Sequence, residues 1–322
     1  MSYKGRKRIS VTNVKNTMTL EEGKERFLKV KKAMGLSSKS LMFYSNCFRY
    51  FTEFFGSYKS WGDITNATML EYTMYLQNKN IAPATVNSYL IGMRTILNYF
   101  VEMGYIEKIE VKKIKAGKKL TDIYTEEEIE KLLMKPDINE RGFGEYRDWV
   151  IICYILGTGN RLGTIVNIKI EDVDLKRGQV NLHHTKNGKA YRIPIPNSLI
   201  NTLTEYLQYR NGNSTDYLFC SVYGSQITSS ALQSAIQRYN TRRGVSKTSI
   251  HLFRHTFATH FIWNGGSIYA LKELLEHSSI KVTEDYISLL PIDMEIEIEE
   301  FNPLEKLMKN TRPKHQIYTR KK

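Results

Sequence analysis

At 322 residues the chain has room for two ordinary domains, and 41% apolar with 25% charged residues is the balance of a soluble globular protein. A formal charge of +14 favours an anionic partner, although most of that excess sits at the two ends. The longest apolar stretch, Trp149 to Gly157, is too short to cross a bilayer; the basic N-terminus lacks the apolar run of a signal peptide; and three cysteines without paired spacing give neither a disulfide framework nor a zinc site, so a cytoplasmic protein is expected.

Residues 1–18 form a basic tail carrying Lys4, Arg6, Lys7, Arg8 and Lys15 and no acid. Residues 19–106 predict four helices. Thr19 and Glu22 make a capping box before Phe27, Leu28 and Val30. Ser37 caps a second helix with Leu41, Tyr44, Cys47, Phe48, Phe51, Phe54 and Phe55 at helical spacing, stopped at Gly56. A third runs from about Asn66 to Asn78. Pro83 suits the first position of a fourth, whose apolar residues run from Val86 to Phe100 and which ends near Gly104. Together these make an all-helical domain.

Residues 107–122 lose the pattern and gain lysines, including Lys112, Lys113, Lys115, Lys118 and Lys119. A basic interdomain linker is expected here, and it could neutralise phosphates if the partner is DNA. A second domain is expected over residues 123–290. It opens with a capping box at Thr125 and Glu128, and an apolar helix from Glu145 to Leu156 delivers Arg161 just past its end. Gln179 to His184 and Ala190 to Ile195 read as strands of a hairpin turning at Asn187-Gly188. Helices follow near 197–210, 228–243, 249–263 and 267–275, and a further helical turn carries Tyr286. The expected class is mainly α with a small β-sheet.

Arginine binds phosphate bidentately, histidine transfers protons near neutral pH, and a tyrosine phenol can serve as nucleophile. Those residue types recur here in order: Arg161, Lys186, His251-x-x-Arg254, His277 and Tyr286. His251 and Arg254 are three apart and share a helix face. The whole set closely resembles the catalytic residues of the tyrosine recombinases, the family of lambda integrase and the Xer proteins. The helix starts at Leu36-Ser37-Ser38-Lys39-Ser40 and Ala82-Pro83-Ala84-Thr85-Val86 likewise resemble that family's SAM-like core-binding domain.

The resemblance implies a site-specific recombinase that cuts and rejoins DNA through a 3′-phosphotyrosyl bond, with no cofactor, metal or ATP. Arg161 and Arg254 would clamp the phosphate and Tyr286 would attack it. His251 would act as general base, then acid; His277 would donate to a phosphate oxygen. A hairpin lysine, Lys186 with Lys189 as its rival, would protonate the leaving 5′ oxygen. His255 and His260 are left as structural or DNA-proximal. The partner would be double-stranded DNA, bound by a monomer when free and by a homo-tetramer on two sites. Two positions depart from the family's pattern: Thr164 where many relatives carry an acid, and Glu276 where relatives commonly carry Gly, the residue suited to a left-handed helix end. The few residues before Thr19 favour a simple Xer-like or transposon-encoded enzyme. Residues 291–322, which alternate Ile292, Met294, Ile296 and Ile298 with acids before a basic tail, would either pack on their own domain in the free monomer or be exchanged between protomers in the DNA-bound assembly. A type IB topoisomerase and a catalytically silent DNA-binding regulator are the rival readings.

Overall fold

The computed structural model describes residues 18–115, 117, 122–183, 190–277 and 279–287. The chain divides into two compact units, Met1–Lys119 and Leu120–Lys322. The N-terminal tail, Lys118, Lys119, the hairpin turn with Lys186 and Lys189, and the segment after Ile287 lie outside the described residues. Among the described residues no helix is long and apolar enough to cross a membrane.

In the first unit α1 (Leu20–Ala33) starts at Thr19, whose side chain accepts from the Glu22 amide while the Glu22 carboxylate accepts from the Thr19 amide. Next come α2 (Ser38–Phe55), α3 (Asn66–Gln77) and α4 (Pro83–Glu102), capped by Ser37, Thr65 and a first-turn proline. Between α2 and α3, a short 3-10 turn at Trp61–Asp63 drives an indole into the core. Trp61 stacks on Phe100 with ring centroids 3.8 Å apart and donates from Nε1 to the Thr19 carbonyl at 3.0 Å. Gly23 makes this possible, since a Cβ there would stand 2.1 Å from the indole nitrogen.

The segment after α4 is no free spacer. Ile109 and Val111 are buried against this unit. The Asn87 side chain accepts from the Ile114 amide at 2.9 Å and donates to its carbonyl at 3.0 Å, and Arg94 donates to the Val111 carbonyl. The expected linker is thus strapped to α4 as far as Ile114, while Lys112, Lys113 and Lys115 face outward.

The second unit is built around α6 (Ile138–Thr158), broken at Gly142. Its run from Trp149 to Ile155 is apolar on nearly every side, as a helix enclosed by others must be. Around it pack α5 (Glu126–Leu133), α8 (Asn197–Arg210), α9 (Ser229–Arg242) and α10 (Ile250–Trp263). The four-residue helix α7 (Leu162–Ile165) leads to an antiparallel sheet of β1 (Val173–Asp174), β2 (Gln179–Leu182) and β3 (Tyr191–Pro194), in that order. Val180 pairs with Ile193 and Leu182 with Tyr191. Two short helices, α11 (Ile268–Leu274) and α12 (Lys281–Ile287), close on α10 over a separate small core of Ala258, Leu271, Leu275 and Tyr286. Cys47 and Cys220 are buried and Cys153 half-buried, all three unpaired.

Candidate active site

Residues far apart in sequence meet where the end of α6, the middle of α10 and the α11–α12 connection converge. Gly159 ends α6 in the left-handed region, with φ of 64°. No side chain fits there, because a Cβ would stand 2.4 Å from Phe257 and 2.7 Å from Leu275. This tight turn sets Arg161 at the start of α7.

Arg254 lies on the inner face of α10 and is only 6% exposed. Its guanidinium donates to the Gly159 carbonyl and the Leu275 carbonyl, each at 2.7 Å, and approaches His277 Nε2 at 3.0 Å. Burial, with Arg161 close by, pushes its pKa down to about 10, so it remains a cation at neutral pH. Because arginine can only donate, His277 Nε2 must accept. The proton of His277 is then on Nδ1, which faces the Thr283 hydroxyl at 2.8 Å. Burial, then Arg254 and Arg161, push His277 down to about 4, so it is neutral. In this arrangement Nε2 of His277 accepts from Arg254 and its N–H faces Thr283.

Glu276 explains much of the local shape. It is the residue just past α11, with φ of 53°, and it closes a Schellman turn: its amide donates to the Glu273 carbonyl and the His277 amide to the Lys272 carbonyl, both at 3.0 Å. A glycine would adopt that conformation without strain. Its carboxylate is buried, with Oε2 3.4 Å from Arg161 Nη1, while the Glu276 carbonyl accepts from Arg161 Nη2 at 3.3 Å. Oε1 has no hydrogen-bond partner among the described residues. Burial raises the Glu276 pKa despite the two arginines. Replacing Glu276 with Gly should therefore stabilise the fold by roughly 1 kcal/mol, the usual penalty of a side chain in the left-handed region. The gain should grow with pH. A carboxyl whose folded pKa is raised contributes its stability below its unfolded pKa and loses it as pH rises through the folded one. Urea midpoints of both proteins from pH 4 to 8 check this, and a constant difference would contradict it.

Tyr286, on α12, is 6% exposed. Its ring lies parallel to that of His277, 6.5 Å away at 4°. Its hydroxyl stands 2.9 Å from Nδ1 of His255. His255, expected to be structural or DNA-proximal, lies four residues after His251 and so on the same helix face. His251 and His255 both have lowered pKa values, first through burial; Arg254 and Arg161 depress His251, and Arg254 and His251 depress His255. The site thus joins two cationic guanidiniums, neutral imidazoles and one phenol, a combination suited to a nucleophile attacking an anion. Lys186 lies outside the described residues. Lys112, Lys113 and Lys115 belong to the other unit.

The phage integrase family matches residues 123–291, and the phage integrase SAM-like domain matches residues 7–116. Tyrosine recombinase XerA of Pyrococcus furiosus is 28% identical over 268 residues, covering 82% of this chain and 90% of that protein. Tyrosine recombinase XerC of Roseiflexus castenholzii is 27% identical over 266 residues, covering 79% and 84%. Among solved structures, the Tn1549 transposon integrase in complex with transposon right end DNA gives a TM-score of 0.73 at 15% identity, covering 90% of this chain and 100% of that one. A lambda integrase tetramer bound to a Holliday junction gives 0.66 at 18%, covering 86% and 83%. These structural likenesses speak for the fold, and the sequence matches in both units speak for descent. The chain belongs to the phage integrase family and is a tyrosine-type site-specific recombinase.

Proposed function

We propose that Tyr286 attacks a scissile phosphate of a double-stranded DNA site, forming a 3′-phosphotyrosyl bond and freeing a 5′ hydroxyl. A 5′ hydroxyl from a second duplex then attacks that bond and releases the tyrosine. The observation that supports this is the clustering of Arg161, Arg254, His277 and Tyr286 in one place. The attacked phosphorus gathers negative charge on its oxygens, and each well-aimed donor is worth roughly 100- to 1000-fold in rate. Arg161 and Arg254 are those donors, with Arg254 held in place by His277. The bond energy is kept in the phosphotyrosyl link, so the reaction needs neither ATP nor a metal ion. Lys112, Lys113 and Lys115 neutralise backbone phosphates from the other unit, and two bound sites join in a tetramer, as in the lambda integrase assembly. The protein works in the cytoplasm, where such DNA is found.

The test begins by trapping protein–DNA adducts in the native host and sequencing the attached DNA. A duplex of that sequence, nicked beside the cleavage point, should accumulate adduct with chelator present. Exchange between two such sites separates a recombinase from an enzyme that only nicks and closes, and failure to exchange would leave the topoisomerase reading standing.

Lys186 is the proposed acid for the leaving 5′ oxygen. Lys186→Ala should cut the cleavage rate roughly 100- to 10,000-fold. Replacing the 5′ oxygen with sulfur, which leaves with little protonation, should restore most of the rate. If Lys189→Ala shows that pattern instead, the acid is Lys189.

A further inference from the structure

The phenol of Tyr286 must lose a proton as it attacks, and the acceptor has to stand within hydrogen-bonding distance of its oxygen. His255 Nδ1 is there, at 2.9 Å, on a helix packed directly against that of Tyr286. We infer that His255 is the general base for Tyr286, which leaves His251 to serve the phosphate. This assignment rests on the phosphotyrosyl reading above.

Among the described residues, His251 and Arg254 on its own helix, Tyr286 on α12 and His277 from the connection before α12 interact with His255. His251 and His255 differ in their surroundings. His251 stands one turn before Arg254 on the same face of α10, and both guanidiniums depress its pKa after burial. His255 feels Arg254 and His251 and touches the phenol, so it lies toward the nucleophile. Burial and the nearby cation keep His255 neutral at physiological pH, with its lone pair available to an O–H.

The step balances. Tyr286 Oη passes its proton to His255 Nδ1 as the Oη–P bond forms. The P–O5′ bond breaks, and the departing oxygen takes a proton from the acid assigned to Lys186. On rejoining, the incoming 5′ hydroxyl returns its proton to that lysine, the P–Oη bond breaks, and the His255 imidazolium returns its proton to Oη. The arrangement also couples attack to binding. An imidazolium beside the Arg254 guanidinium is repelled by it, whereas a bound phosphate offsets that repulsion. Tyr286 is thereby kept protonated until a phosphate arrives.

The experiment measures single-turnover adduct formation by the full chain on the nicked duplex, with sulfur at the leaving position so that attack is rate-limiting. The wild type should show a plateau at neutral pH that falls away in acid as His255 becomes protonated. In His255→Gln an amide oxygen still accepts the hydroxyl's hydrogen bond but cannot keep a proton. That variant should bind DNA normally, react roughly 100- to 10,000-fold more slowly, and speed up with pH without a plateau as hydroxide takes over. His251→Gln should be slower too but keep the plateau. In His255→Gly, added imidazole should restore the rate, an effect that a purely structural role would not produce. A wild-type rate and profile in His255→Gln, loss of the plateau in His251→Gln, or no rescue by imidazole would each overturn the assignment. Absence of any adduct from the wild type would instead sink the phosphotyrosyl reading itself.

Discussion

Tyr286→Phe is expected to bind its DNA site as the wild type does and to form no covalent adduct at all. The reason lies in how the side chain is held. The ring packs in the small core with Ala258, Leu271 and Leu275 and lies parallel to His277, and phenylalanine keeps all of that. Only the hydroxyl is lost, and with it the contact to half-buried His255, a change of about 0.5 to 1.5 kcal/mol in stability. A denaturing gel with the nicked substrate reads the adduct, and a filter or gel-shift assay reads binding. Undiminished adduct in the variant would remove Tyr286 from the mechanism. Loss of binding together with a large drop in melting temperature would mean that the phenol oxygen is structural.

Much of the fold could be read in advance because its signals are local. The capping boxes at Thr19 and Thr125, the serine cap at Ser37 and the proline at Pro83 all start helices where expected. Features carried by long-range polar contacts could not. The strap over α4 depends on Asn87 and Arg94 reaching backbone groups 17 to 27 residues away, which leaves no periodicity to detect. The two-residue strand β1 and the four-residue helix α7 are too short to show a repeat. At the site, residue types and order marked Arg161, Arg254, His277 and Tyr286, but orientation decides chemistry. Nothing in the sequence says that Arg254 takes the lone pair of His277, or that the phenol meets His255. The left-handed turn at Glu276 was foreshadowed by the missing glycine. Its buried carboxylate beside Arg161 was not.

The two arginines should prove equivalent in catalysis and unequal in stability. Arg254→Lys keeps a charge but loses the planar fork, so one ammonium cannot serve the Gly159 carbonyl, the Leu275 carbonyl, His277 and a phosphate together. Its cleavage rate should fall roughly 100- to 1000-fold. Arg254→Ala should fall at least as far. It should also destabilise the second unit by about 3 kcal/mol, because buried carbonyls left without a donor cost about 1 to 3 kcal/mol each. The α6 end and the α11 end would then lose the group that joins them, so closure of the site and its chemistry fail together. Arg161 is held differently. Its side chain is 25% exposed and, among the described residues, bonds to Glu276 at 3.3 and 3.4 Å, so Arg161→Ala should match the loss of rate with a clearly smaller loss of stability. Single-turnover cleavage and urea unfolding of the three variants separate the two effects. Equal destabilisation by Arg161→Ala and Arg254→Ala would mean that the Glu276 contact carries as much of the structure as the three bonds of Arg254. A near-normal rate in Arg254→Lys would mean that the fork is needed for the fold alone and that a point charge suffices for the phosphate.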